Sequence, residues 1–309
     1  MSHAKPQPGP VAAPQPSAAS PAARLNFADR ILSAMERLQS TACVGLDPVH
    51  DKLPAQLRSS SPDPITAIER FAEGVIDAVA EIVPAVKFQS ACFERYGAPG
   101  SAALARTMKR ANDQGLVVIL DAKRGDIGIS AEHYAAAAVA LGAHAITVNA
   151  YLGPSTVDPY LAAGLGVFIL VRTSNLDSDA VQSLALTDGR TVAEMMADHA
   201  ATLGTKHLGT HGMSSVGAVV GATKAEDGRA LRARMPKQIF LVPGYGAQGG
   251  TAKDIRALLT PVGVSPTGGV LVTASRSVIY AFGPNDADWK LSVERASQLL
   301  VSELRAIQG

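Results

Sequence analysis

The chain has 309 residues, of which 47% are hydrophobic and 18% charged, and 28 basic against 27 acidic residues give a formal net charge of +1. This length can bury a large core in one or two domains. Without a basic run, the sequence gives no electrostatic reason to expect nucleic acid or an anionic membrane as a partner. Its two cysteines, Cys43 and Cys92, lie in apolar segments, which predicts a reducing cytoplasmic location rather than a disulfide framework or a cysteine-bound zinc ion.

The first residues differ in composition from the rest of the chain. Residues 1–23 contain six prolines, seven alanines and no acidic residue, and they lack the apolar stretch of a signal peptide. We therefore expect residues 1–24 to form a disordered extension and residues 25–309 to form a single catalytic domain. No later segment approaches the ~20 uninterrupted apolar residues of a membrane span.

Short apolar runs rich in Val and Ile alternate with amphipathic helical patterns along the chain. Eight such runs predict strands: Ala42–Leu46, Ala85–Phe88, Leu116–Leu120, Ala145–Asn149, Gly166–Val171, Val216–Gly221, Ile239–Val242 and Val270–Thr273. The main predicted helices are Ile65–Ile82, Ala102–Gln114, Ala131–Leu141, Val192–Leu203 and Leu291–Ile307. This alternation indicates an α/β protein with a parallel sheet. Eight units favour a (β/α)₈ TIM barrel. The alternative is a doubly wound sheet, which usually needs fewer strands, and no GxGxxG follows the first strand.

One connection is longer than the others. Residues Asn175–Ser214, between the fifth and sixth predicted strands, exceed the usual length of a strand–helix connection. We expect one helix there and a candidate lid over the carboxyl ends of the strands.

Polar residues follow most of the predicted strands, where catalytic groups of such barrels gather. The segment LDAKRGDIG, residues 120–128, carries the densest charge. Strand alternation places Asp121 and Lys123 on the inner face and turns Arg124 outward. A solvated ion pair is the structural alternative for Asp121 and Lys123, and a helix N-cap is the alternative for Asp126. The flanks of Lys87 are apolar, which counts against a purely solvated cluster because unpaired buried charge is costly.

A glycine-rich loop follows the seventh predicted strand. Gly244, Gly246, Gly249 and Gly250 let backbone amides approach an anion, and Gln248 adds a neutral donor. Arg276, after the eighth strand, can bind a phosphate through its guanidinium fork. In a barrel these two loops are the usual phosphate site. The alternative is a plain glycine-rich turn beside a surface arginine.

Taken together, the motifs resemble those of orotidine 5′-phosphate decarboxylase, and the segment Asp121–Gly128 resembles the second, bacterial subfamily. The resemblance covers nearly the whole chain after Leu25. It is carried by Gly45-Leu-Asp-Pro, Val86-Lys-Phe, Asp121-Ala-Lys-Arg-Gly-Asp, Arg172-Thr-Ser, Gly217-Ala-Val-Val-Gly-Ala-Thr, Pro243-Gly-Tyr-Gly-Ala-Gln-Gly-Gly and Ser275-Arg.

The resemblance implies a homodimer with shared active sites that converts orotidine 5′-phosphate into UMP in pyrimidine biosynthesis, without metal or cofactor. It implies a catalytic array of Lys87, Asp121, Lys123 and Asp126, in which Lys123 stabilises and protonates a carbanion at C6 and Asp126 serves the partner's site. The implied substrate-binding residues are Asp47, Ser130, Ser174, Pro243, Gln248 and Arg276.

Two other functions stay open at this stage. A sugar-phosphate decarboxylase or aldolase of the same superfamily would depend on a metal, whereas the second strand here offers Lys87. A nucleotide-phosphate sensor would bind UMP without turnover. His207 and His211 are four residues apart, but no glutamate follows His207, so we do not expect zinc there.

Overall fold

The computed structural model describes residues 25–246, 249–265, 267–283 and 286–308, and these residues contain eight strands. The strands are β1 (Ala42–Leu46), β2 (Ala85–Gln89), β3 (Val117–Arg124), β4 (Ala145–Val148), β5 (Gly166–Arg172), β6 (Ser214–Val220), β7 (Gln238–Val242) and β8 (Val270–Ala274). Each pairs in parallel with its neighbour in sequence, and β8 pairs with β1 to close a barrel. The TIM-barrel prediction is confirmed. The doubly wound alternative is wrong because the ring leaves no edge strand.

Helices surround the barrel and connect its strands. They are α1 (Phe27–Leu38), α2 (Ala55–Ser60), α3 (Pro64–Val79), α4 (Ala91–Glu94), α5 (Gly97–Asp113), α6 (Gly128–Ala140), α7 (Asp158–Ala162), α8 (Asp179–Gln182), α9 (Val192–Gly204), α10 (Ala225–Arg234), α11 (Ala252–Leu258), α12 (Arg276–Ile279) and α13 (Trp289–Gln308). In the described ranges, five 3₁₀ turns complete the connections: His50–Lys52, Ala150–Leu152, Pro154–Val157, Leu176–Ser178 and Ala222–Lys224. No helix in the described ranges is long and apolar enough to cross a membrane.

The side chains of β3 alternate between two separate apolar clusters. Val118 and Leu120 pack in the layer between the barrel and its helices. Val117 and Ile119 pack inside the barrel. Because Asp121 continues the inner series, the predicted strand register is confirmed, and the charged segment begins at the carboxyl-end mouth.

Helix α1 closes the opposite end of the barrel. Its apolar face packs against the barrel interior, where the ring of Phe27 meets that of Phe168 edge-on at 5.6 Å between centroids. Asn26 begins the helix by accepting hydrogen bonds from the Ala28 and Asp29 amides. This helix is absent from the sequence-based prediction.

The long connection between β5 and β6 contains one full helix, as expected. A capping box begins α9, since Thr191 and Glu194 exchange hydrogen bonds between their side chains and backbone amides. The short helix α8 precedes it, and β6 begins at Ser214, two residues before the predicted Val216. The predicted extension, residues 1–24, lies outside the described residues.

Candidate active site

A cavity of about 530 Å³ opens at the carboxyl ends of the strands. Residues of all eight strands, or of the segments that follow them, line it, as expected for a catalytic mouth of this fold. Of the predicted site residues, the cavity lining includes Asp47, Lys87, Asp121, Lys123, Ser174, Pro243 and Arg276.

The cavity contains a row of alternating charges. Lys87 Nζ lies 2.8 Å from Asp121 Oδ2 and 3.6 Å from Asp47 Oδ1. Lys123 Nζ lies 2.6 Å from the other carboxylate oxygen of Asp121, Oδ1. Asp121 therefore bridges two ammonium groups, one buried and one at the solvent side of the cavity.

This alternation fixes the charge state of the buried pair. Burial lowers the pKa of Lys87, but the negative charges of Asp121 and Asp47 outweigh it and hold that pKa above its usual value. Burial raises the pKa of Asp121, but Lys87 and Lys123 outweigh it and hold that pKa well below its usual value. Both groups are therefore charged at neutral pH. The alternative of a solvated Asp121–Lys123 pair does not describe Asp121, whose side chain is only 10% exposed, although Lys123 is 46% exposed.

Local backbone geometry directs Lys123 into the mouth. Its φ of +46° lies in the left-handed region, which a residue with a side chain rarely adopts. The β3–β4 pairing shifts register between Leu120 and Arg124, so a bulge accompanies this turn. The Thr147 hydroxyl stabilises it by accepting from the Lys123 amide at 3.0 Å and donating to Asp121 Oδ1 at 2.8 Å.

Arg124 points away from the cavity, as predicted. Its guanidinium donates to Glu94 Oε1 at 2.6 Å and lies 5.0 Å from the centre of the Tyr134 ring. Gly125 follows, where an added Cβ would lie 2.7 Å from the carbonyl oxygen of Asn149. Only glycine fits this close approach between the loops after β3 and β4.

The predicted phosphate side belongs to the same cavity. Pro243, Gly244 and Arg276 line it together with Tyr245. Gly244 has a φ of +95°, and its carbonyl accepts from the Gly250 amide at 3.0 Å, so the loop curls back on itself. This geometry requires glycine at position 244.

Polar contacts also fix the end of β5. The Gln182 side chain accepts from the Thr173 amide at 2.8 Å and donates to the Thr173 hydroxyl at 2.8 Å. The buried Arg172 donates to Asp227 at 2.6 Å and also pairs with Asp179. These contacts tie the segment after β5 to α8 and α10, and they hold Ser174 at the cavity wall.

Comparison with known proteins places this barrel in a family. The sequence model described as orotidine 5′-phosphate decarboxylase / HUMPS family matches residues 40–288. The chain belongs to this family. A relative from Rhodopirellula baltica named orotidine 5′-phosphate decarboxylase is 36% identical over 305 residues, 91% of this chain and 99% of the relative.

Further relatives agree with this assignment. An orotidine 5′-phosphate decarboxylase from Clostridium perfringens strain SM101 is 36% identical over 262 residues, 83% of this chain and 89% of the relative. The structure of Leishmania donovani OMP decarboxylase matches with a TM-score of 0.73 and 32% identity, covering 92% of this chain and 99% of that chain. The resemblance drawn from the motifs is confirmed at the level of the family, whose named members are carbon–carbon lyases.

Two of the site residues predicted for this chain, Asp126 and Ser130, lie away from the cavity. Asp126 is half-buried and accepts from the Ile127 amide at 2.9 Å. Since Ile127 occupies the cap position of α6, Asp126 is not its N-cap residue. Ser130 lies on the first turn of α6, and neither residue is part of the cavity lining. Gln248 lies outside the described residues.

Several cavity residues escaped the sequence analysis. They are chiefly Thr147, Gln182 and Tyr245, together with Ser275, whose Oγ is buried without a hydrogen-bond partner among the described residues. Tyr245 and Ser275 occur in two of the motifs quoted above, but neither is among the predicted site residues. Thr147 could have been found, because it is the polar residue of a strand that otherwise reads Ala-Ile-Val. In the described parts of the chain, no group of three or more His, Cys, Asp or Glu side chains is arranged to hold a metal ion.

Proposed function

We propose that this protein decarboxylates orotidine 5′-phosphate to UMP through a C6 carbanion that Lys123 stabilises and then protonates. The observation that carries the proposal is the Lys87–Asp121–Lys123 row, in one cavity with a glycine loop and Arg276. Family membership supports the overall reaction, a step of pyrimidine biosynthesis.

The reaction needs a positively charged group beside one carbon of the substrate, C6. When the C6–carboxylate bond breaks, CO₂ leaves and the electron pair stays on C6. The Lys123 ammonium then transfers a proton from Nζ to C6. Its side chain is 46% exposed in this structure, so substrate has access to it. A preorganised ammonium can both stabilise the developing anion and act as the general acid.

Asp121 and Lys87 would set the electrostatics of this step. A substrate carboxylate ~4 Å from Asp121 would be repelled by ~4 kcal/mol at an effective dielectric constant of ~20. Slow reactions demand ~20 kcal/mol or more of barrier reduction. Most of the barrier reduction must therefore come from the fixed lysines and from binding energy. Lys87 keeps the Asp121 carboxylate ionised and in place.

The rest of the cavity supplies groups suited to binding the nucleotide. Asp47 Oδ1 is buried and accepts no hydrogen bond from the described residues, which suits it to receive one from a ribose hydroxyl. The glycine loop with Pro243 and Arg276 suits the phosphate, and Ser174 suits the edge of the pyrimidine. Gln248 is proposed for the phosphate from its place in the glycine-rich sequence after β7 and from the family resemblance.

We also propose a homodimer in which Asp126 and Ser130 complete the partner's site. Both lie off the cavity of their own barrel, as such a role requires. The surface near Asp126 and Ser130 exposes large apolar side chains to solvent, which supports contact with a second copy of this chain. They are Ile127 at 57%, Ile129 at 70%, Tyr151 at 83% and Leu152 at 55% exposure.

Turnover of orotidine 5′-phosphate by the purified protein tests the proposal directly. The expected result is loss of the substrate's pyrimidine absorbance, with UMP formed in equal amount and unchanged turnover in chelator. Turnover that is lost in chelator and restored by magnesium would favour the metal-dependent sugar-phosphate relatives. UMP binding without turnover would favour the nucleotide sensor. The cytoplasmic location stays a prediction.

A further inference from the structure

Asp47 lines the cavity, but the contacts of its side chain do not fix the position of its carboxylate. Its Oδ1 atom is buried and has no hydrogen-bond partner among the described residues. Its paired cation, Lys87 Nζ, lies 3.6 Å away, beyond ordinary hydrogen-bond distance. The position of the carboxylate therefore depends on the backbone that carries it, which is the turn directly after β1.

One hydroxyl group spans that turn. Tyr280 Oη accepts a hydrogen bond from the Val49 amide at 2.8 Å and donates one to the Asp47 carbonyl at 3.2 Å. Pro48, between these two residues, has no amide hydrogen to contribute. The Tyr280 hydroxyl therefore binds the backbone on both sides of Pro48.

The Tyr280 ring is itself held by a packed aromatic group. It stacks on the fully buried Phe71 with 5.9 Å between ring centroids and an angle of 10° between planes. Phe282 meets it edge-on at 6.3 Å. Burial raises the pKa of Tyr280 to about 12, so the hydroxyl keeps its proton and remains a donor at neutral pH.

The same ring connects two parts of the cavity. Tyr280 directly follows α12, which begins at Arg276. The carboxyl ends of β1 and β8 also lie close together. There is no room for a side chain at Gly45 of β1, because an added Cβ would lie 2.9 Å from the Cβ of Ser275, the residue after β8. The end of β8 and the turn after β1 thus pack as one unit.

We propose that Tyr280 is a positioning residue that acts through Asp47, holding its carboxylate where a substrate hydroxyl can reach it. Tyr280 does not line the cavity and makes no contact with substrate in this role. The proposal rests on the proposed function, because Asp47 is given a substrate-binding role there.

The test is Tyr280→Phe, which keeps the ring and its stacking and removes only the hydroxyl. We expect kcat/KM for orotidine 5′-phosphate to fall about tenfold, as for loss of one or two net hydrogen bonds. Affinity for UMP should fall by a similar factor, while the melting temperature stays close to that of the wild type. In an Asp47→Ala background the same substitution should change both quantities less than about twofold, because the group it positions is gone.

Tyr160→Phe is the matched control. It removes a hydroxyl that is buried without a partner among the described residues, in a side chain outside the cavity, and should leave kcat/KM unchanged. Unchanged kcat/KM in Tyr280→Phe, or an equal loss with and without Asp47, would overturn the positioning role while wild-type turnover upholds the proposed function. A wild type without turnover would overturn both.

Discussion

The Lys87–Asp121 pair is buried enough for its removal to be measured as stability. The two side chains are only 9% and 10% exposed, and their charged atoms lie 2.8 Å apart. At an effective dielectric constant of ~20, two unit charges at this distance attract by ~6 kcal/mol. Because desolvation of both groups opposes this attraction, the net value of the pair is smaller than the Coulomb energy.

Lys87→Met removes the charge and keeps a side chain of similar length. It leaves Asp121 buried with two remaining partners, Lys123 at 2.6 Å and the Thr147 hydroxyl at 2.8 Å. Breaking a buried pair from one side costs ~3–5 kcal/mol. The remaining partners favour the lower end, so we expect the free energy of unfolding to fall by about 3 kcal/mol.

Urea unfolding at pH 7 measures this loss. The fluorescence of Trp289 can report it, because this is the only tryptophan of the chain and it is 4% exposed. Protein concentration is kept equal for all variants, since self-association would shift apparent stability. The double variant Lys87→Met with Asp121→Asn removes both charges, and we expect it to regain at least about 2 kcal/mol over Lys87→Met. A loss below about 1 kcal/mol, or no recovery in the double variant, would refute the reasoning.

Lys123→Ala should lower decarboxylation by a factor of about 10³ or more while UMP binding persists, and near-normal turnover would contradict its role as proton donor. Mixed dimers of Asp126→Ala and Lys123→Ala subunits should recover part of the activity, because one of the two sites then has both Lys123 and Asp126. Verified mixed dimers without recovery would count against shared sites. Arg232→Met should cost about 3 kcal/mol or more of stability with little change in kcat, because Arg232 is 4% exposed and donates four hydrogen bonds to backbone carbonyls. Urea unfolding compared with Arg232→Lys checks this, and equal stability of Arg232→Met and wild type would contradict it.

The barrel and the inner face of β3 could be predicted because both follow from periodicity. Apolar runs buried on both faces mark parallel strands, and alternation alone assigns Asp121 and Lys123 to the mouth. Helix α1 carried a comparable signal, since Phe27, Ile31 and Met35 recur at helical spacing after the cap residue Asn26. The strand–helix alternation does not predict this helix, because α1 precedes the first strand.

The left-handed turn at Lys123 could not be predicted from residue type. Lysine has no preference for positive φ, and the bulge that permits it arises from pairing with β4, about 25 residues later in the chain. Thr147 stands out in the sequence as the polar residue of β4, but its contacts do not, since a threonine in a strand is ordinary. Only the register of β3 against β4 shows that its hydroxyl contacts both Asp121 and the Lys123 amide.

Tyr280 shows why a site can depend on residues that no motif marks. Its side chain contacts a turn 231 residues earlier in the chain, across the closure of the barrel between β8 and β1. A parallel barrel brings the last strand against the first, so groups that follow β8 can fix the backbone that carries Asp47. Motifs mark residues that face the substrate, whereas the pairing of β8 with β1 determines which residues fix the backbone that carries them.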